Sequence, residues 1–195
     1  MAAMPWKHAA SVASFEKQLE PGDILLTSAK PTKDTNPLVR AWDQAFTAAS
    51  HGLQGEHTHS LIYVGDGRAV ETRIGEGAKV LPLRRAMGSI SKTRALRATE
   101  LSKNERAAAA ERAIELVKER PTYAMKTLVK ALAHEAGAAL PIAKADGLIC
   151  SNLVTEAYAP HRIVAKSREL VLPMDFAKSK WLSVVADHNR RLASG

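Results

Sequence analysis

An α+β fold is what this sequence predicts, with a small antiparallel sheet packed on helices. Three observations predict it. Residues 58–72 read as two β-rich runs around Gly65-Asp66-Gly67, the signature of a hairpin. Residues 101–120 are rich in Ala, Glu and Arg, and Ser102 stands three residues before Glu105 as in a capping box, which predicts a long amphipathic helix. After the chain's only cysteine, Cys150, the residues Leu153, Val154, Ala157 and Tyr158 recur at helical spacing, so Cys150 falls in the first turn of a helix.

The remaining elements follow in chain order. Residues 9–19 predict a short helix and Glu20-Pro21-Gly22-Asp23 a turn. Ile24-Leu25-Leu26-Thr27 reads as a short buried strand. Residues 29–37 hold Pro31 and Pro37 and form a loop; residues 38–49 place Leu38, Val39, Trp42, Ala45, Phe46 and Ala49 at helical spacing; residues 51–56 are a polar connection. After the hairpin, a third strand is expected over 78–83 and a fourth over 93–98. The long helix carries Ala109, Ala113, Leu116 and Val117 on one face and stops before Pro121. A further helical stretch is expected over 122–139. Pro160 closes the Cys150 helix, Pro173-Met174-Asp175-Phe176 starts another, and residues 181–187 form a last strand before a tail over 189–195.

The chain has 195 residues, 46% hydrophobic and 25% charged, which suits a single domain over 1–195 with its core at about 21–187. One cysteine excludes an internal disulfide and any multi-cysteine zinc site. Residues 1–13 contain one Lys and no apolar run of signal-peptide length, and no window of 18 uninterrupted apolar residues occurs. The expectation is a soluble protein without a transmembrane helix, cytoplasmic by default, with non-classical release or phage-encoded delivery as the route to an outside substrate. The formal charge is +8, but the basic residues are scattered and only nine residues are aromatic, so specific nucleic-acid binding is not expected.

A thiol at the start of a helix feels unpaired N–H groups and the positive end of the helix dipole, and both favour the thiolate. A cysteine nucleophile also needs an imidazole to move its proton and a polar group to orient that imidazole. The hairpin offers both. A three-residue loop Gly65-Asp66-Gly67 pairs Val64 with Arg68, Leu61 with Glu71 and His59 with Arg73. Because strand side chains alternate, Glu71 then lies on the face of His59 as its diagonal neighbour. A two-residue turn at Asp66-Gly67 pairs Ile62 with Glu71 and puts the carboxylate on the opposite face. Both turns are legitimate; the three-residue loop, with Gly67 at its left-handed third position, is the reading adopted. His57 shares a face with His59 and Glu56 is near, but no third ligand has a telling spacing, so no metal site and no cofactor are expected. His51, His134, His161 and His188 belong to no motif, and Asp23 reads as structural.

Five motifs stand in order: Gly22-Asp23-Ile24-Leu25-Leu26, then His59-Ser60-Leu61-Ile62-Tyr63-Val64-Gly65-Asp66-Gly67, then Val70-Glu71, then Cys150-Ser151-Asn152-Leu153-Val154, and Pro173-Met174-Asp175-Phe176. This order resembles that of the permuted NlpC/P60 papain-like cysteine hydrolases, in particular the YiiX/YebB-like branch, with lecithin:retinol acyltransferase-like enzymes more distant. The resemblance implies a circularly permuted papain-like fold with Cys150 as nucleophile, His59 as base and Glu71 as the residue that orients it. It implies cleavage of an amide or ester through an acyl-thioester. Peptide or peptidoglycan stem-peptide bonds are the first expectation for the substrate, a lipid acyl group the second. A binding module that keeps the fold without catalysis is the rival from another class. Oligomeric state is not legible.

Overall fold

The computed structural model describes residues 7–9, 11–29, 57–73, 76–87, 90–122, 148–164 and 171–189. Seven strands are described: β1 (Lys7–Ala9), β2 (Ile24–Ala29), β3 (His59–Gly65), β4 (Arg68–Arg73), β5 (Gly77–Pro82), β6 (Ile90–Arg97) and β7 (Ser183–Asn189). The helices are α1 (Val12–Glu16), α2 (Leu83–Ala86), α3 (Lys103–Glu119), α4 (Cys150–Ala157) and α5 (Pro173–Ala177). The strands form one sheet in the order β1-β7-β6-β2-β3-β4-β5. All neighbours are antiparallel except β1 and β7, which run parallel at the edge. The α+β class is therefore as the sequence predicts, with a larger sheet than expected.

Strand alternation sorts the apolar residues to two faces. Ile24, Leu26, Ile62, Val70 and Leu96 face α3 and α4, where Ala109, Ala113 and Leu116 meet Leu153, Val154 and Ala157. Leu25, Leu61, Tyr63, Ala69 and Ala95 point the other way, against Phe15 of α1 and against Leu83 and Ala86 of α2. The sheet is thus covered on both sides.

Several elements differ from expectation, each for a local reason. The helix expected over 9–19 is confined to Val12–Glu16 by a capping box in which Ser11 and Ser14 bond each other's backbone N–H at 3.1 and 3.0 Å. Lys7–Ala9 before it is a strand only because it pairs with Ala186–His188. One turn of helix, α2, follows directly on β5, too short for a periodic signal. The last strand starts at Ser183, after a turn in which Ser179 Oγ accepts from Trp181 N at 3.2 Å. The capping box of the long helix is present, with Ser102 N donating to Glu105 Oε2 at 2.7 Å and Glu105 N to Ser102 Oγ at 3.3 Å. The loop after residue 29, the helix over 38–49, the connection over 51–56, the stretch after residue 122 and the tail beyond 189 lie outside the described residues. No helix among the described residues is long and apolar enough to cross a membrane.

The turn before β2 joins most of these parts. Gly22 has φ +94°, and a Cβ there would stand 2.4 Å from the Arg106 carbonyl oxygen of α3. Asp23 is fully buried and takes a two-point bond from Arg97, Nε to Oδ1 and Nη2 to Oδ2, both 2.7 Å. Arg97 and Arg106 share Glu20 at 3.0 and 2.6 Å. Tyr63 N of β3 donates to Asp23 O at 2.9 Å, and Gly22 N donates to Tyr63 O at 2.8 Å. Tyr158, which ends α4, donates its hydroxyl to Gly22 O. Asp23 is therefore structural, as read from the sequence. Two outcomes are expected in urea unfolding. Arg97→Met strands a buried carboxylate and costs about 3–5 kcal/mol. Gly22→Ala forces both an unfavourable φ and a backbone clash, at a cost above about 2 kcal/mol. Midpoints unchanged from wild type would remove this turn from its central role.

Candidate active site

The hairpin decides where its polar residues point. Gly65 pairs with Arg68 across a two-residue turn at Asp66-Gly67, whose φ values of 50° and 65° are those of a type I′ turn. The expected three-residue loop is not formed. One residue further in, Val64 is extra: Tyr63 pairs with Ala69 and Ile62 with Val70. This bulge shifts the register by one residue, and its continuation sets Leu61 opposite Glu71. That is the pairing the three-residue loop predicted, reached by another route, and it returns Glu71 to the face of His59.

His59 opens β3, and its Nε2 lies 3.4 Å from Glu71 Oε2. The His59 side chain is 15% exposed and that of Glu71 only 1%. Arg73, two residues along β4 and so on the same face, donates from Nε to the same Oε2 at 2.9 Å and from Nη2 to Ala86 O at 3.4 Å. Glu71 Oε1 is buried without a partner among the described residues. Lys79 pairs with Glu71 in the ladder, but its ammonium binds Glu76 instead.

Cys150 is the first residue of α4, after Leu148 and Ile149, both buried, and is itself 7% exposed. The apolar lead-in buries the approach, and the polar Ser151 and Asn152 follow inside the first turn. The thiol and the His59 ring are neighbours, close enough that each shifts the other's titration. With Nε2 turned to Glu71, Nδ1 is the nitrogen available to sulfur. Strand alternation gives His59 to the face of Leu61 and Ser60 to the face that α4 covers, and the thiol is reached by both. The Ser60 N–H and hydroxyl approach it, and beyond that approach the hydroxyl has no partner.

The electrostatics follow from this packing. Burial works against an imidazolium at His59, but the hydrogen bonds and charges of Cys150 and Glu71 outweigh it and raise its pKa from 6.5 to about 9. Burial pushes the Cys150 thiol up; His59, then Ser60, pull it below its ordinary value. Burial also pushes Glu71 up, and His59 with Arg73 more than reverse this, so the carboxyl is held ionised. At all three groups the neighbours oppose burial and favour the charged form: thiolate at Cys150, imidazolium at His59 and carboxylate at Glu71, with the Arg73 guanidinium behind.

The three residues singled out in the sequence, Cys150, His59 and Glu71, are thus brought together. Arg73 and Ser60 were missed as partners. Arg73 had a signal, because Glu-x-Arg on a strand places opposite charges side by side; Ser60 had none beyond its position. His57 is buried just ahead of β3, and no group of three His, Cys, Asp or Glu among the described residues is arranged to hold a metal ion. His161 lies 4.0 Å from Glu105, and His188 sits in β7 with its ring 6.1 Å from that of Phe15. His51, His134 and Glu56 lie outside the described residues.

The paired shifts fix how the site contributes to stability. Taken alone, a His59 pKa raised from 6.5 to about 9 contributes fully below pH 6.5 and is lost as pH rises through about 9. A lowered Cys150 pKa contributes fully above pH 9 and is lost as pH falls through the folded value. Between pH 6.5 and 9 the His59 contribution weakens as pH rises while that of Cys150 grows. As pH falls through the pKa of the folded thiol the Cys150 contribution is lost while that of His59 is already complete or nearly so, so stability falls on the acid side. The expected result is a wild-type urea midpoint that drops on acidification by more than that of the double variant His59→Gln/Cys150→Ala. Parallel curves for the two proteins would contradict the ion pair.

No family model matches the chain, and no curated protein matches it. Among solved structures, the crystal structure of the metalloprotein YiiX from Escherichia coli O157:H7, DUF1105, is similar with a TM-score of 0.57 and 14% identity, over 87% of this chain and 97% of that one. What the likeness shows is the fold, an α+β arrangement of YiiX type over most of both chains.

Proposed function

We propose that this chain is a cysteine hydrolase with a Cys150–His59–Glu71 triad on a circularly permuted papain-like fold, related to the NlpC/P60 hydrolases. One observation carries the reading: an imidazole that faces a buried carboxylate through Nε2 also neighbours a thiol at the first residue of a helix. The permuted order, histidine hairpin before cysteine helix, supports the fold assignment.

The chemistry uses these groups alone. The Cys150 thiolate attacks the carbonyl carbon of an amide or ester, and the carbonyl pair moves to oxygen. Backbone N–H groups at the start of α4, including that of Cys150, receive the oxyanion. As the intermediate collapses, the His59 imidazolium gives its proton to the leaving nitrogen or oxygen, and an acyl-thioester remains. Neutral His59 then takes a proton from water, hydroxide adds to the thioester carbonyl, and the acid leaves with Cys150 returned to thiolate and His59 to imidazolium. Glu71 holds the ring tautomer and its charge throughout. A peptide or peptidoglycan stem-peptide amide is the substrate favoured by the resemblance. YiiX is described as a metalloprotein; the described residues of this chain do not fit a metal site, and no step is routed through one.

The test screens muropeptides, short peptides and phospholipids against wild type and Cys150→Ala. Wild type is expected to turn over a peptide amide with a rate that falls as pH rises through about 9, where the imidazolium is lost. Cys150→Ala is expected to be inactive, and His59→Ala to lose about 10²–10⁴-fold in kcat. Iodoacetamide is expected to alkylate Cys150 at a pH below its ordinary value of 9.0, and more slowly in His59→Ala. Equal turnover by Cys150→Ala, or alkylation indifferent to His59, would overturn the triad, and the absence of any turnover by wild type would return the chain to the class of binding modules.

A further inference from the structure

Glu71 divides one oxygen between two cations and leaves the other unused. Oε2 accepts from Arg73 Nε at 2.9 Å and faces His59 Nε2 at 3.4 Å, so the contact with Arg73 is the tighter one. Oε1 is buried with no partner among the described residues. A carboxylate only 1% exposed, with one orphaned oxygen, does not keep its place or its charge by its own hydration. Arg73 is itself held at a second point, where Nη2 donates to Ala86 O at the C-terminal end of α2. Its side chain is 31% exposed, so the guanidinium keeps contact with water while its Nε reaches inward.

We propose that Arg73 is a positioning residue of the same site: anchored on α2, it fixes the Glu71 carboxylate beneath the imidazole and acts on His59 only through that carboxylate. The inference rests on the triad reading above and extends it to a fourth side chain. It has a signature that a bare charge or a merely structural role does not share. As a positive charge near His59, Arg73 disfavours an imidazolium, so its removal alone would raise the His59 midpoint. As the clamp on Glu71, it sustains the imidazolium's partner, so its removal lets the buried carboxyl take up a proton or swing away, and the midpoint falls. The two roles predict opposite signs.

The experiment is an NMR titration of the His59 imidazole in wild type, Arg73→Gln, Arg73→Lys, Glu71→Gln and the double variant Arg73→Gln/Glu71→Gln. It needs no substrate. The wild-type midpoint is expected at about 9. Arg73→Gln is expected to lower it, in the direction of Glu71→Gln. Arg73→Lys, which keeps the charge without the planar fork, is expected to lie between wild type and Arg73→Gln. The double variant is expected to match Glu71→Gln alone, because Arg73 has nothing left to act on. A raised or unchanged midpoint in Arg73→Gln, or additive shifts in the double variant, overturns the inference while a high wild-type midpoint leaves the triad standing. A wild-type midpoint at or below 6.5 overturns both, since there is then no imidazolium to sustain. Superimposable circular dichroism spectra of the variants exclude unfolding as the cause of any shift.

Discussion

The buried pair between Asp23 and Arg97 is the interaction on which the two halves of the site depend. Asp23 is fully buried, and burial pushes its carboxyl above the ordinary carboxylate range despite the two bonds from Arg97. Such a pair repays little of its desolvation as net stability, but it tolerates no loss of a partner. What it secures here is geometry. The turn it stabilises holds β3 through Tyr63 and α4 through the Tyr158 hydroxyl. His59 and Cys150 are ninety-one positions apart in sequence, yet the strand that carries one and the helix that carries the other are pinned to the same two residues, Gly22 and Asp23. Both pins lie away from the chemistry, at the far ends of β3 and α4, so the thiol and imidazole meet where the two elements, measured from a common origin, run out.

The second constraint is the charge count. Thiolate, imidazolium, carboxylate and guanidinium sum to zero, and three of the four residues have side chains that are buried or nearly so. In a low dielectric an unbalanced charge is far costlier than a balanced set. Neutrality explains how burial, the largest opposing influence at Cys150, His59 and Glu71 alike, is overcome at all three at once. It also makes the register of the hairpin decisive. Without the extra residue at Val64, Glu71 would point to the other face, and the imidazolium would lose its counter-charge.

Most of this was legible in the sequence, and the exceptions have physical causes. The hairpin, the long helix with its Ser102–Glu105 cap and the helix start at Cys150 each rest on local chemistry, which a short window of sequence contains. The side of the sheet to which Glu71 points was legible only as an alternative, because turn length alone does not reveal a bulge one residue away. β1 was not legible at all: Lys7–Ala9 is extended because β7 offers it an edge, not because its residues prefer a strand. α2 is a single turn and has no period to detect. Arg73 was in plain view as a strand neighbour of Glu71, but its second anchor, the Ala86 carbonyl, belongs to α2 and is set by tertiary packing.

The ends of the helices complete the account of why Cys150 sits where it does. α1 and α3 close their first turns with their own side chains, Ser11 with Ser14 and Ser102 with Glu105. α4 does not: the residue before Cys150 is Ile149, extended and apolar, and it offers no side-chain acceptor to the helix. A Ser or Asp at that position would add about 1 kcal/mol to the helix by accepting from its second or third N–H. In the chemistry proposed above it would also occupy the donors that an oxyanion formed at Cys150 would have to reach. Under that proposal, a helix without a side-chain cap is a small loss of stability placed where a reacting oxygen would need donors.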